Sequence, residues 1–273
     1  MMERGMRRSR VLAQLRAGKV VSSFKLNLAD ARAVEIAAMS GFDCIWLDME
    51  HVPNDLAVVE RGIWAAKSHD VDVMARVTRG SYSDYIRPLE MDASGIMVPH
   101  IMSLADAQAV VRMTRFQPLG RRPVDGGNAD GAYGSVEFTE YLRQANEQRF
   151  VAVQIEDPEP MDELDAIAAV PGIDMIFFGP GDFSHGIGAP GVWDHPRLLD
   201  ARRRVAEAAL ANGKFAGTVG SAANMDELIG LGYRFLSVGA DVIGLSQYCK
   251  GIMSEFTKRP APAIKSIYGG NTR

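Results

Sequence analysis

Two cysteines in 273 residues are too few for a disulfide framework, so the fold must rest on a packed core, and Cys44 and Cys249 read as buried thiols of a reducing compartment. No apolar run approaches the roughly 20 residues that a membrane span requires. The opening stretch, MMERGMRRSRVLAQLRAGK, is basic but has no apolar middle, so it does not read as a signal peptide and a cytoplasmic location is expected. An excess of charge of one sign is also missing. Net formal charge is −4 and the 30 Lys and Arg are scattered, which speaks against a nucleic-acid surface or a polybasic membrane anchor. No Gly-rich first βα turn of the dinucleotide-binding kind is present, and no Lys-Ser or Lys-Thr pair follows the glycines of 116–134 to make a phosphate loop. A small-molecule partner is what this leaves.

What the chain does contain is alternation. Strand-like runs occur at 20–26, 43–49, 72–77, 95–100, 150–156, 173–179, 214–220 and 235–241, and between them lie stretches with helical periodicity such as NLADARAVEIAAMSG, SLADAQAVVRMTR and HPRLLDARRRVAEAALANG. Eight βα repeats with continuously apolar strands predict an α/β fold of the (β/α)8 TIM-barrel type, in which every strand is buried on both faces. No linker divides the chain. A single domain over 1–273 is expected, with a core at 10–258 and an extended, Pro-rich tail at 259–273. The longest irregular stretch, FQPLGRRPVDGGNADGAYG at 116–134, is a candidate lid or intersubunit segment on its length alone.

In a parallel barrel all strand exits face one mouth, so polar residues at strand ends converge although they are distant in sequence. Strand two ends in LDMEH, with Asp48, Glu50 and His51; strand three ends at Arg76; strand five ends with Gln154 and Glu156; Asp182 follows strand six in GPGDFS. Period-two geometry puts Gln154 and Glu156 on one face and Val153 and Ile155 on the other. Carboxylates gathered at a partly buried mouth repel one another, so Glu156 and Asp182 either hold a hard divalent cation or serve as helix caps. His51 beside Asp48 has the makings of a general base near neutral pH. Arg76, closing an apolar strand, is placed to meet an anion. Glu50 shares strand parity with Asp48 and reads either as a support behind the groups that touch the ligand or as a salt-bridge partner, and Trp46 as core.

The segments LDMEHVPNDL, MARV, MVPHI, VQIED and GPGDFS, in this order and spacing, resemble the HpcH/HpaI family of metal-dependent pyruvate aldolases, over roughly positions 10 to 258. The resemblance implies an aldehyde-lyase that reversibly cleaves a 4-hydroxy-2-oxo acid to pyruvate and an aldehyde through an enolate of pyruvate held on a divalent metal, Mg²⁺, Mn²⁺ or Co²⁺. It implies metal ligation by Glu156 and Asp182, a His51/Asp48 dyad, and Arg76 on the keto oxygen. Gln154 would line the substrate site, and the backbone at Gly181 and Asp182 would grip the carboxylate. Asp84 matches an aspartate that reaches a neighbouring subunit's dyad, and the family's assembly implies a homohexamer, a dimer of trimers with the last helix exchanged between subunits. Two departures bear on the aldehyde: a GRRPVDGGNADGAYG loop where the family often has G-x-R-G, and His100 where it has a small or aliphatic residue. Three other readings stay open: a Schiff-base aldolase using Lys25, a CoA-thioester lyase of the citrate-lyase β type on the same barrel, and a non-catalytic hexameric scaffold.

Overall fold

The computed structural model describes residues 5–28 and 30–259. Eight strands, β1 (Val21–Leu26), β2 (Cys44–Asp48), β3 (Asp72–Arg76), β4 (Gly95–Val98), β5 (Phe150–Ile155), β6 (Met175–Phe178), β7 (Phe215–Gly220) and β8 (Phe235–Ala240), pair in sequence order and all in parallel. β1 also pairs with β8, so the barrel is closed. The helices are α1 (Arg10–Arg16), α2 (Ala31–Met39), α3 (Leu56–Lys67), α4 (Tyr82–Glu90), α5 (Leu104–Thr114), α6 (Phe138–Gln148), α7 (Leu164–Ala169), α8 (Pro180–Gly186), α9 (Pro196–Ala211), α10 (Met225–Gly230) and α11 (Asp241–Thr257). The expected (β/α)8 barrel is therefore present, each strand within two residues of its expected span. β4 stops at Val98 because Pro99 has no N–H to give the ladder. β6 starts at Met175 because the Asp174 carboxylate already accepts from the Val151 N–H at 2.7 Å.

Strand parity sorts the side chains. Cys44, Trp46, Met74, Met97, Phe150, Ala152, Met175, Phe177 and Phe235 fill the barrel interior, with Val11, Leu12 and Leu15 of α1 packed against that cluster. The alternate residues, such as Ile45, Leu47, Val73, Val151, Val153 and Ile155, pack outward under the helices. Trp46 meets Phe177 edge-on at 5.6 Å between ring centroids and Phe177 meets Phe235 at 6.3 Å, a stack that closes the interior to water. The next inward positions along β1, β2, β3 and β5 are Lys25, Asp48, Arg76 and Gln154, so the polar layer sits directly on that floor.

Two expectations are corrected here. The 116–134 stretch is no lid over its own mouth: it follows the C-terminal end of α5 and is pinned where the strands begin. Asp130 meets Arg122 at 3.0 Å and Arg149 at 2.7 Å, and its N–H donates to the carbonyl of Glu90. Arg149 precedes β5 and also pairs with Asp92, which precedes β4. Leaving one such buried charge unpaired costs about 3–5 kcal/mol, which anchors the loop firmly. Cys249 is exposed rather than buried, because α11 buries none of its residues. The tail expected from 259 onward lies outside the described residues except for Arg259. No helix among the described residues is long and apolar enough to cross a membrane.

Candidate active site at the barrel mouth

Asp48 is fully buried and accepts from Arg76 Nε at 3.0 Å and Arg76 Nη2 at 2.6 Å, the two-pronged pairing that suits a guanidinium. Lys25 Nζ lies 2.9 Å from the same carboxylate, and the Glu50 N–H donates to it at 3.0 Å. Burial alone would raise this carboxyl, but the hydrogen bonds and charges of Arg76 and Lys25 outweigh it and hold Asp48 down to about 2. Both cations rest over the Trp46 ring, Lys25 Nζ at 5.2 Å and Arg76 Cζ at 4.9 Å from its centroid. Trp46 is core, as expected, and also the floor of the site.

Glu156 stands one residue beyond β5, fully buried. Its Oε1 accepts from the His100 backbone N–H at 2.9 Å, and its Oε2 accepts from Gln154 Nε2, so the two residues share a face as strand parity required. Burial pushes Glu156 up to about 7; the His100 N–H and imidazole oppose this, and the charges of Glu50 and Asp182 add to it. Asp182 sits exposed in the first turn of α8, which begins where β6 ends, and Gly181 lies beside it, also exposed. Gly179 lets this wall close up, since a Cβ there would stand 2.7 Å from Glu156 Cβ and 2.8 Å from Gln154 Nε2.

His100 completes the mouth. It follows Pro99 in a left-handed conformation, φ 50°, costly for a residue with a side chain and held by the N–H bond to Glu156. Its Nδ1 lies 2.8 Å from Asp157 Oδ2 and its Nε2 3.5 Å from Glu50 Oε1. Burial works against the imidazolium, but Asp157, Glu156 and Glu50 prevail and raise the His100 pKa. Glu50 also approaches Arg76 Nη1 at 2.9 Å, without the alignment of a hydrogen bond, so that its Oε2 is a buried oxygen with no donor. Gln154 Oε1 is a second such acceptor.

Not every expected residue arrives. His51 lies in the turn after β2, half exposed, with Nε2 3.5 Å from Glu50 Oε2; the Asp48 carboxylate is occupied by Arg76 and Lys25, so Glu50 rather than Asp48 faces this imidazole. Asp84 closes the capping box of α4, accepting from the Ser81 N–H at 2.7 Å, and takes no part in the mouth of its own chain. Asp157 was missed by sequence reasoning, although its place next to Glu156 in VQIED was a signal.

The donor set fits a divalent cation. Against Lys25, Arg76 and the imidazole of His100 stand Asp48, Glu50, Glu156, Asp157 and Asp182, an excess of acidic groups that a small hard cation would offset. Glu50, His100 and Glu156 bring one ligand atom each within 4.8 Å of one another.

Residues 23–247 match the HpcH/HpaI aldolase/citrate lyase family. A hydroxypyruvate/pyruvate aldolase of Pseudomonas aeruginosa is 34% identical over 265 residues, covering 96% of this chain and 98% of its own. A 2-keto-3-deoxy-L-rhamnonate aldolase of Escherichia coli K12 is 31% identical over 261 residues, covering 93% of this chain and 96% of its own. Among solved structures, an HpcH/HpaI aldolase of Desulfitobacterium hafniense superimposes with a TM-score of 0.86 at 29% identity, covering 92% of this chain and 97% of its own.

Proposed function

The chain belongs to the HpcH/HpaI aldolase/citrate lyase family, and from that premise we propose that it is a metal-dependent carbon–carbon lyase. Its reaction would be the reversible cleavage of a 4-hydroxy-2-oxo acid to an aldehyde and pyruvate or hydroxypyruvate, small molecules of the kind on which the named relatives act. The observation that carries this reading is the buried carboxylate of Glu156 facing, across Glu50, the guanidinium of Arg76 on an aromatic floor. Glu156 and Asp182 would hold Mg²⁺, Mn²⁺ or Co²⁺, and such a cation, when bound, supplies a Lewis acid for the substrate's keto oxygen.

The chain's own groups do the rest. Arg76, fixed by Asp48 through Nε and Nη2, keeps Nη1 for the oxygen on which negative charge develops, and being already ordered it needs no rearrangement as that charge forms. Gln154 lines the same wall, and the backbone of Gly181 and Asp182 would receive the carboxylate. In cleavage, His51 takes the 4-hydroxyl proton at Nε2, the C3–C4 electron pair passes to the enolate, and the proton returns to carbon; Glu50 supports the imidazolium between these steps. Lys25 is paired with Asp48, which argues against a Schiff-base route through it, because the lysine nucleophile needs a free amine. Nor are the mouth cations free to form the basic cleft that CoA phosphates require, since both are engaged by Asp48. We extend the proposal to a cytoplasmic homohexamer built from single-domain chains. Support comes from α11, whose Val242, Ile243, Leu245, Tyr248, Ile252, Met253 and Phe256 are all uncovered in the single chain, as a helix exchanged between subunits would leave them. In that assembly Asp84 would reach a neighbour's His51.

Pyruvate release from a panel of 4-hydroxy-2-oxo acids, followed with and without a chelator, tests the function. Turnover is expected to vanish in chelator and return on adding Mn²⁺ or Mg²⁺; full activity in chelator would contradict it. The elevated Glu156 carboxyl adds a pH dependence to cation binding. A proton bound below about 7 must leave before the carboxylate can act as a ligand, so affinity falls as pH falls. Calorimetric titration of metal-free protein with Mn²⁺ should show roughly tenfold weaker binding at pH 6 than at pH 8, with proton release at the lower pH. Equal affinities would contradict the assignment.

A further inference from the structure

We propose that His100 is a nitrogen ligand of the cation site, bound through Nε2 and oriented by Asp157, so that this chain holds its metal with a mixed nitrogen and oxygen set and favours Mn²⁺ or Co²⁺ over Mg²⁺. The inference rests on the reading of the mouth as a cation site and goes beyond the ligation by Glu156 and Asp182.

The imidazole is arranged as a metal ligand is. Nδ1 lies 2.8 Å from Asp157 Oδ2, so in the neutral ring Nδ1–H donates to that carboxylate and the lone pair falls on Nε2, as a ligating imidazole requires. Nε2 stands 3.5 Å from Glu50 Oε1, too far for a good hydrogen bond. It is the separation expected of two donors that each sit about 2.1 Å from one ion, roughly 3.0–3.5 Å for octahedral to tetrahedral angles. Glu156 Oε1 lies 3.7 Å from Nδ1 of the same ring, and one donor atom each of Glu50, His100 and Glu156 falls within 4.8 Å of the others. A second observation points to a ligand independently of that cluster. Gln154 is 3% exposed, its Nε2 donates to Glu156, and its Oε1 has no donor. A buried acceptor left without a donor beside three carboxylates is what a cation's bound water would satisfy. Imidazole among the ligands suits Mn²⁺ and Co²⁺ better than Mg²⁺, which prefers oxygen alone.

The test is electron spin-echo modulation on the full-length protein loaded with Mn²⁺, in wild type, His100→Asn and Asp157→Asn, paired with binding constants for Mn²⁺ and Mg²⁺. Asn tolerates the left-handed backbone at position 100 while removing the ring. Expected are nitrogen modulation in the wild type, its loss in His100→Asn with Mn²⁺ still bound about 10–100-fold more weakly, and a smaller Mn²⁺ over Mg²⁺ preference in that variant. Wild-type protein carrying ¹⁵N-histidine should change the modulation pattern, a readout that stands even where a variant fails to fold. Bound Mn²⁺ without nitrogen modulation, or modulation that survives in His100→Asn, would overturn the role of His100 while leaving the carboxylate site intact. Failure of the wild type to bind Mn²⁺ at all would overturn the cation site and this inference with it.

Discussion

Glu156→Gln is expected to lower kcat/KM for cleavage by about 10³-fold or more and to abolish tight Mn²⁺ binding, while the protein stays folded. The expected size follows from the chemistry: charge stabilisation of several kcal/mol by a cation corresponds to roughly three powers of ten in rate. The substitution keeps the shape of the side chain and an oxygen to accept from the His100 N–H, now at 2.9 Å, and it removes one negative charge. Stability should not suffer, because a fully buried carboxylate that its surroundings push up to about 7 is a cost to the metal-free fold. A differential melting curve without metal should therefore show Glu156→Gln at least as stable as the wild type. Wild-type turnover in this variant would remove Glu156 from the mechanism.

Arg76→Lys should lower kcat/KM by about 10²–10³-fold although the charge is retained. An ammonium cannot reproduce the fork that engages Asp48 through Nε and Nη2 while resting over the Trp46 ring, so the cation loses its fixed direction toward the substrate oxygen. Most of the loss should appear in kcat, since the interaction strengthens as charge develops on that oxygen. Arg76→Met goes further and strands Asp48 with Lys25 alone, at a stability cost of about 3–5 kcal/mol. The same pairing sets an acid limit. Asp48 is held down to about 2, so its contribution to stability is complete above its ordinary value of 3.8 and disappears as pH falls through about 2. An Arg76→Lys enzyme with unchanged kinetics would show that the guanidinium is only structural.

The fold was legible in the sequence because strands buried on both faces are continuous apolar runs, and eight of them alternating with amphipathic stretches admit few topologies. The inward polar layer was legible for the same reason: period two on a known strand places Gln154 with Glu156 and carries Asp48 and Arg76 to one mouth. Past the ends of the strands that rule stops. His51 sits three residues after the last residue of β2, in a turn, and adjacency to Asp48 in sequence gave it no contact with a carboxylate already taken by two cations. His100 departs from the small or aliphatic residue usual in the family, but its entry into the mouth depends on a left-handed backbone after Pro99 that no periodicity predicts. The place of the 116–134 loop follows from the barrel topology. A chain that leaves each strand at the mouth and returns along a helix has α5 end at the far side, where the buried ion pairs of Asp130 hold the loop. The bare apolar residues of α11 carry no local sign of what covers them.

With a divalent cation present, the mouth is expected to make the methyl group of an α-keto acid acidic. Proton NMR of pyruvate in D₂O with the enzyme and no aldehyde measures this without a second substrate. The methyl signal is expected to fade by exchange with deuterium when Mn²⁺ or Mg²⁺ is supplied at catalytic levels, to persist in chelator, and to persist with Glu156→Gln. Exchange that proceeds equally in chelator, or no exchange with metal present, would contradict it.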